Sequence, residues 1–248
     1  MTLVVMAGML VYPSPGETAR VWSDPLLLSS ENGTTPFIIA DAGGGVHVFW
    51  GSTGEGGQTA AIFYRRMVEG NWSEPVDILA PPSGNSATYP SAVIDQTGYI
   101  HLVWVSNQLY YSKAHISQAL NPRGWSTPYK MTNYPVVNGV VRLGADGSLN
   151  VLFGSQGTTP AVYLLKSEDG GEFWRIAVQV SSPLSGVYTL TSSLAIDGQG
   201  RLHAAWAEAN QTVVLEEGAI APPPSGVYYA RSVDGGERWS YPQKLAVG

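Results

Sequence analysis

The chain has 248 residues, of which 44% are apolar and 13% charged, with 29 glycines, 17 prolines and no cysteine. That length and apolar content allow one large core, the glycine and proline content calls for many turns and so for an all-β fold, and the missing cysteine excludes disulfides and thiolate metal sites. A net charge of -6 gives no basic footprint, which excludes nucleic acid as the expected partner, and no apolar run reaches membrane-spanning length.

Residues 3–11 form the first apolar run. It has the length of a signal-peptide core but lacks the preceding basic residues, so residues 1–12 carry two readings, a signal-peptide remnant or a strand. The strand reading is favoured because Tyr12 precedes Trp22 by ten residues, as Tyr229 precedes Trp239.

Next come four segments that align without gaps, at 41–50, 95–104, 144–153 and 197–206. Each carries a glycine at one turn position (Gly44, Gly98, Gly147, Gly200), then His47, His101, Asn150 or His203, and ends in an aromatic residue. Glycine there supplies a left-handed turn without steric cost. After each follows an aromatic-rich strand (Phe63-Tyr64, Tyr110-Tyr111, Tyr163-Leu164, Tyr228-Tyr229) and then a tryptophan, in most units within Trp-Ser-x-Pro or a relic of it.

A period near 50 residues with four short strands per unit predicts an all-β fold, a β-propeller of four-stranded antiparallel blades. The blades are expected at 36–79, 88–132, 135–180 and 191–247, with residues 3–29 supplying a partial N-terminal blade, about five in one domain over 1–248. In each, strands A, B, C and D run in chain order, and strand B is apolar on both faces because blades pack on both sides of it. An incomplete blade would leave an unpaired edge, which makes self-association an expectation.

The two strongest copies of the strand C to strand D turn read Ser167-Glu168-Asp169-Gly170-Gly171-Glu172-Phe173-Trp174 and Ser232-Val233-Asp234-Gly235-Gly236-Glu237-Arg238-Trp239. The pattern Ser-x-Asp-Gly-Gly-x-x-Trp resembles the Asp-box, or BNR repeat, of sialidases and related glycosidases. The structural residues of the box would be Ser167, Asp169, Gly170, Gly171 and Trp174, and Ser232, Asp234, Gly235, Gly236 and Trp239. The carboxylate is expected to cap its own turn and the tryptophan to fill the space between blades. The resemblance implies that the boxes lie on the face opposite the active site.

A sialidase would also need three arginines converging on a substrate carboxylate, and the expected central-face loops carry none. Arg65, Arg66 and Arg231 fall on strand C, and Arg142 and Arg201 near A–B turns. No catalytic residue is therefore assigned.

The central face offers instead Tyr89, Tyr134 and Tyr188, suited to stacking on sugar rings, and the acids Glu55, Glu208, Glu216 and Glu217, suited to binding or to general acid–base work. The longest loop, expected at 207–226, carries three of these acids. His47, His101 and His203 sit in different blades and cannot converge on one ion, so neither a metal nor a cofactor is expected. The expected function is a non-catalytic recognition module for a glycan or a protein surface, extracellular or at the cell surface. The alternatives are a sialidase-like or other glycoside hydrolase, completed by residues outside this chain, and a purely structural blade array.

Overall fold

The computed structural model describes residues 23–29, 33–53, 60–82, 86–156, 160–181, 187–210 and 226–246. The strands expected before residue 23, with Trp22, lie outside these residues.

The described residues build four antiparallel blades. Blade I holds β1 (Thr34–Ala40), β2 (Val46–Thr53), β3 (Ile62–Val68), β4 (Asn71–Trp72) and β5 (Val76–Leu79). Blade II holds β6 (Ser86–Ile94), β7 (Tyr99–Ser106), β8 (Gln108–His115) and β9 (Tyr129–Lys130). Blade III holds β10 (Val136–Leu143), β11 (Leu149–Ser155), β12 (Val162–Ser167) and β13 (Val178–Gln179). Blade IV holds β14 (Val187–Ile196), β15 (Leu202–Asn210), β16 (Gly226–Ser232) and β17 (Gln243–Ala246). The only helical element described is a 3-10 turn at Pro122–Gly124, and among the described residues no helix is long and apolar enough to cross a membrane.

The outer strand D is short or split. In blade I, Pro75 separates β4 from β5, because proline has no N–H for the ladder. The inner strands are longer than their sequence pattern suggests: β14 begins at Val187 and β15 runs to Asn210. Tyr188 and Glu208 therefore belong to strands, where loops were expected.

Three apolar clusters fill the three gaps between successive blades. Phe49, Ile62 and Tyr64 of blade I meet Ile100, Leu102 and Trp104 of blade II in the first. Val103, Val105 and Tyr111 of blade II meet Val141, Val151 and Phe153 of blade III in the second. Leu152 and Leu164 of blade III meet Leu202, Ala204 and Trp206 of blade IV in the third. Strand β7 supplies alternate residues to two gaps, which is why it is apolar throughout.

The turn before strand D closes each gap by reaching back to the preceding blade. Trp125 of blade II lies edge-on to Phe49 and Tyr64 of blade I at 6.4 and 6.5 Å. Trp174 of blade III meets Tyr111 of blade II at 5.1 Å, and Trp239 of blade IV packs in the third cluster. Burying such a ring is worth roughly 4–6 kcal/mol gross in apolar transfer.

In the two glycine-pair turns the carboxylate organises the backbone. Asp169 Oδ1 accepts from the N–H of Glu172 and Phe173 at 3.1 and 2.9 Å and from the Ser167 hydroxyl at 2.8 Å. Asp234 likewise accepts from the Arg238 N–H and the Ser232 hydroxyl. These bonds hold both aspartates below the usual carboxylate range. The second glycine is required twice over. Gly171 has φ +84, and a Cβ there would stand 2.0 Å from the Tyr111 hydroxyl oxygen, while at Gly236 it would stand 2.3 Å from a Leu164 methyl.

Candidate functional site

The inner strands β1, β6, β10 and β14 pack on one another in sequence. Each carries a bulge near its start, between Thr34 and Phe37, Thr88 and Ser91, Val136 and Gly139, and Thr189 and Thr191. Bulges bend a strand and re-aim its side chains. Blades I and II are also joined directly, through the pairs Ser52↔Ala87 and Thr53↔Ser86. Gly51 makes this seam possible, since a Cβ there would stand 2.2 Å from the Ala87 carbonyl oxygen.

Tyr89 sits in the blade II bulge beside this seam. Its φ is +52, and Thr35 in the blade I bulge has φ +49. Left-handed backbone costs a non-glycine residue about 1–2 kcal/mol, so something must hold it. The Thr35 hydroxyl accepts the Tyr89 N–H at 2.8 Å. The result is a phenol ring held 46% exposed at the central end of the blades.

Glu208 lies near the same end of β15, nearly buried at 9% exposure. It pairs with Thr189 of β14, so both side chains share a face, and a Cβ at Gly154 of blade III would stand 2.8 Å from Thr189. The Trp206 indole N–H donates to Glu208 Oε1 at 2.6 Å. Burial pushes the Glu208 carboxyl up, while that bond and Lys244 act in the opposite direction. The equivalent residues, two after the strand B aromatic, are Ser52, Ser106 and Ser155, all buried. Three serines and one glutamate form a column readable from the aligned sequence.

The other expected residues are placed differently. Tyr134 precedes β10 and lies against Phe153 at 6.5 Å, in the gap between blades II and III. It faces Met131 and Trp174 in a cavity of about 210 Å³, and burial raises its phenol. Tyr188 is on β14 opposite Ala209, with its side chain outside the described residues. Glu55, Glu216 and Glu217 also lie outside them. Among the described arginines, Arg175 pairs with Glu168 and Glu237, Arg201 with Asp197, and Arg66 with Asp41. These contacts lie at the end opposite Tyr89.

That opposite end holds an arrangement the sequence reasoning did not draw. In blade I, His47 Nδ1 meets the Tyr64 hydroxyl at 2.7 Å and Nε2 meets Asp41 Oδ2 at 3.1 Å. His101, Tyr111 and Asp95 repeat this in blade II, and His203, Tyr229 and Asp197 in blade IV. A carboxylate only accepts, so Nε2 carries the proton and Nδ1 takes the tyrosine hydroxyl. Burial lowers the pKa of His47 and His101 against the opposing pull of their aspartates. The His47 bond holds Asp41 low; burial works upward on Asp95, but bonds from His101, Thr97 and Tyr99 keep it low as well. Both imidazole nitrogens are thus committed, and no group of potential metal ligands forms among the described residues. His203 is 27% exposed, against 0% and 2% for His47 and His101, which the next blade covers.

No protein-family model matches the chain, and no curated protein matches it. Solved structures do. A protein of unknown function from Dyadobacter fermentans aligns with TM-score 0.65 at 16% identity, over 86% of this chain and 69% of its own. The α-L-arabinofuranosidase arb93a of Fusarium graminearum, solved as a point mutant in complex with an iminosugar inhibitor, aligns with TM-score 0.62 at 12% identity, over 86% of this chain and 66% of its own. The NanB sialidase of Streptococcus pneumoniae aligns with TM-score 0.62 at 10% identity, over 88% and 53%. The chain thus spans about half to two thirds of these two enzymes. At such identities the likeness is one of fold, a β-propeller shared with carbohydrate-active enzymes.

Proposed function

We propose that this chain is a non-catalytic sugar-recognition propeller of the Asp-box type, acting outside the cell, with Tyr89 at the centre of its binding surface. One observation carries the reading. A large aromatic ring is held exposed, in backbone that tyrosine adopts only at a cost, by a hydrogen bond from a neighbouring blade. Such strain collects at functional sites, and an exposed phenol offers a sugar both an apolar face and a hydroxyl. The carbohydrate-active propellers of like fold support a sugar over a protein surface as the partner. A glycan array with the whole chain tests this. Tyr89→Ala should weaken the best binder at least tenfold and Tyr89→Phe much less; equal binding by Tyr89→Ala would sink the assignment.

Glu208 favours a second reading, a glycoside hydrolase completed by residues beyond those described. A nearly buried carboxyl with a raised pKa suits a general acid. Hydrolysis ordinarily uses two carboxylates, and the other candidate acids, Glu55, Glu216 and Glu217, lie outside the described residues. Turnover of an aryl-glycoside panel, abolished by Glu208→Gln, would replace the first reading with this one. Pairing of an incomplete blade with a second copy remains the proposal for self-association, and light scattering reads it directly.

A further inference from the structure

The gap between blades III and IV departs from the other two at its far end. Where blades I and II place a histidine and a tyrosine, blade III places Asn150 and Leu164, and Gly144 stands at the position of the aspartate. Register fixes the match, since His47 faces Arg66, His101 faces Lys113 and Asn150 faces Lys166. Gly144 and Asn150, both smaller than their counterparts in blades I and II, line a cavity of about 360 Å³ that opens on the far face. It is lined by Asp146, Ser148, Asn150 and Lys166 of blade III and by Gln199 and Leu202 of blade IV.

The polar lining is organised. Asn150 is 1% exposed, and its Nδ2 donates to the Ser148 carbonyl and hydroxyl oxygens at 3.3 and 3.0 Å. A carbonyl only accepts, so the orientation of the amide is set. Asn150 Oδ1 then has no hydrogen-bond partner among the described residues. A buried acceptor left in that state costs about 1–3 kcal/mol, so the position calls for a donor. The Ser148 hydroxyl donates to Asp146 Oδ1 at 2.7 Å, which keeps the Asp146 carboxyl ionised and low. Lys166, with its ammonium 3.2 Å from Glu168, adds a cation, and Leu202 adds an apolar wall.

We propose that this cavity is a second binding site, for a single neutral sugar ring. Adjacent hydroxyls of a pyranose or furanose would donate to Asp146, and to Asn150 Oδ1 once its sealed amide turns toward the cavity, and accept from Lys166 and Gln199, with the C–H face against Leu202. The volume is at the small end for ligand pockets, which suits one ring and not a chain of them. The site is on the face opposite Tyr89 and does not rest on the central-face reading.

Saturation-transfer NMR of the full chain with a panel of neutral aldopentoses and aldohexoses at millimolar concentration tests it. At least one sugar should give a signal. The double variant Asn150→His, Leu164→Tyr puts the blade II imidazole and phenol into blade III, the imidazole at the cavity wall; it should weaken that sugar at least tenfold. Tyr89→Ala should leave the signal in place. Silence from the whole panel overturns the proposal, as does full binding by the double variant or a signal lost in Tyr89→Ala alone. Should the double variant not fold, Lys166→Met and Gln199→Ala at the rim decide instead. Each is expected to weaken binding about fivefold, and unchanged affinity in both overturns the site.

Discussion

The gaps on either side of blade III are assembled from the same parts and finished differently. On one side, Tyr111 of blade II reaches under the glycine pair of blade III, its ring against Trp174 and its hydroxyl on His101. On the other, Leu164 occupies that place under the glycine pair of blade IV, and Asn150 and Lys166 of the same blade line a cavity. The backbone of the two turns is nearly unchanged, with φ of +84 and +96 at the second glycine. The turn is therefore indifferent to what lies beneath it so long as the second glycine presents no Cβ. The filling of the gap is free to vary where its lid is not.

Alanine at the two glycines would break that comparison most forcefully. Gly171→Ala is expected to cost roughly 2–4 kcal/mol, from left-handed backbone and from displacing the Tyr111 hydroxyl. Gly236→Ala should cost less, because a leucine methyl moves more readily than a ring bonded to His101. Urea midpoints of the two variants report the difference, and equal losses would mean that the turn dihedrals alone decide. Next in size is His101→Asn, which takes one partner each from Asp95 Oδ2 and the Tyr111 hydroxyl at a cost of about 1–3 kcal/mol, Thr97, Tyr99 and the Gly170 carbonyl keeping the rest of their bonds. Adding Tyr111→Leu, in imitation of blade III, should cost less than the sum, with a coupling of about 1 kcal/mol in a double-mutant cycle.

Acid should act through the filled gaps. The folded chain holds His47 and His101 neutral, while the unfolded chain protonates them as the pH falls past about 6.5. Stability is thus complete above that value and is lost below it. The lowered carboxyls of Asp41 and Asp95 add a second loss below about pH 4. Denaturant midpoints of the double variant His47→Asn, His101→Asn from pH 7 to 5 should be flatter than those of the parent; parallel curves would place the acid sensitivity elsewhere. The smallest effect expected is Thr35→Val, which removes one hydrogen bond from Tyr89 and should cost about 0.5–1.5 kcal/mol. Its use is to separate stability from binding at the central face.

The blades were legible because turn glycines, strand B and the strand D tryptophans recur at one spacing. The limits of the inner strands were not. Residues 187–190 and 208–210 continue ladders that only tertiary pairing supports, so Tyr188 and Glu208 read as loop residues. Tyr89 and Tyr134 look alike in sequence, each before a proline, yet Tyr89 lies within a strand bulge and Tyr134 ahead of its strand against Phe153. A bulge adds a residue without leaving a trace in composition. The Asp–His–Tyr arrangement did leave one, since Gly144, Asn150 and Leu164 replace all three members in the same blade. Aligning strand C by the same period as strand B would have exposed it.

Each glycine-pair turn belongs to one blade by covalent order and to the preceding blade by contact. The repeat as written in the chain and the repeat as packed in space are therefore out of phase. A cut between blades III and IV would remove Trp239 from Leu164 and uncover the flank of a blade whose own strands are intact. Duplicating or deleting one blade by moving a whole sequence period would create two foreign junctions. Exchange that keeps the old contacts must begin within strand C, so that each turn travels with the neighbour it covers.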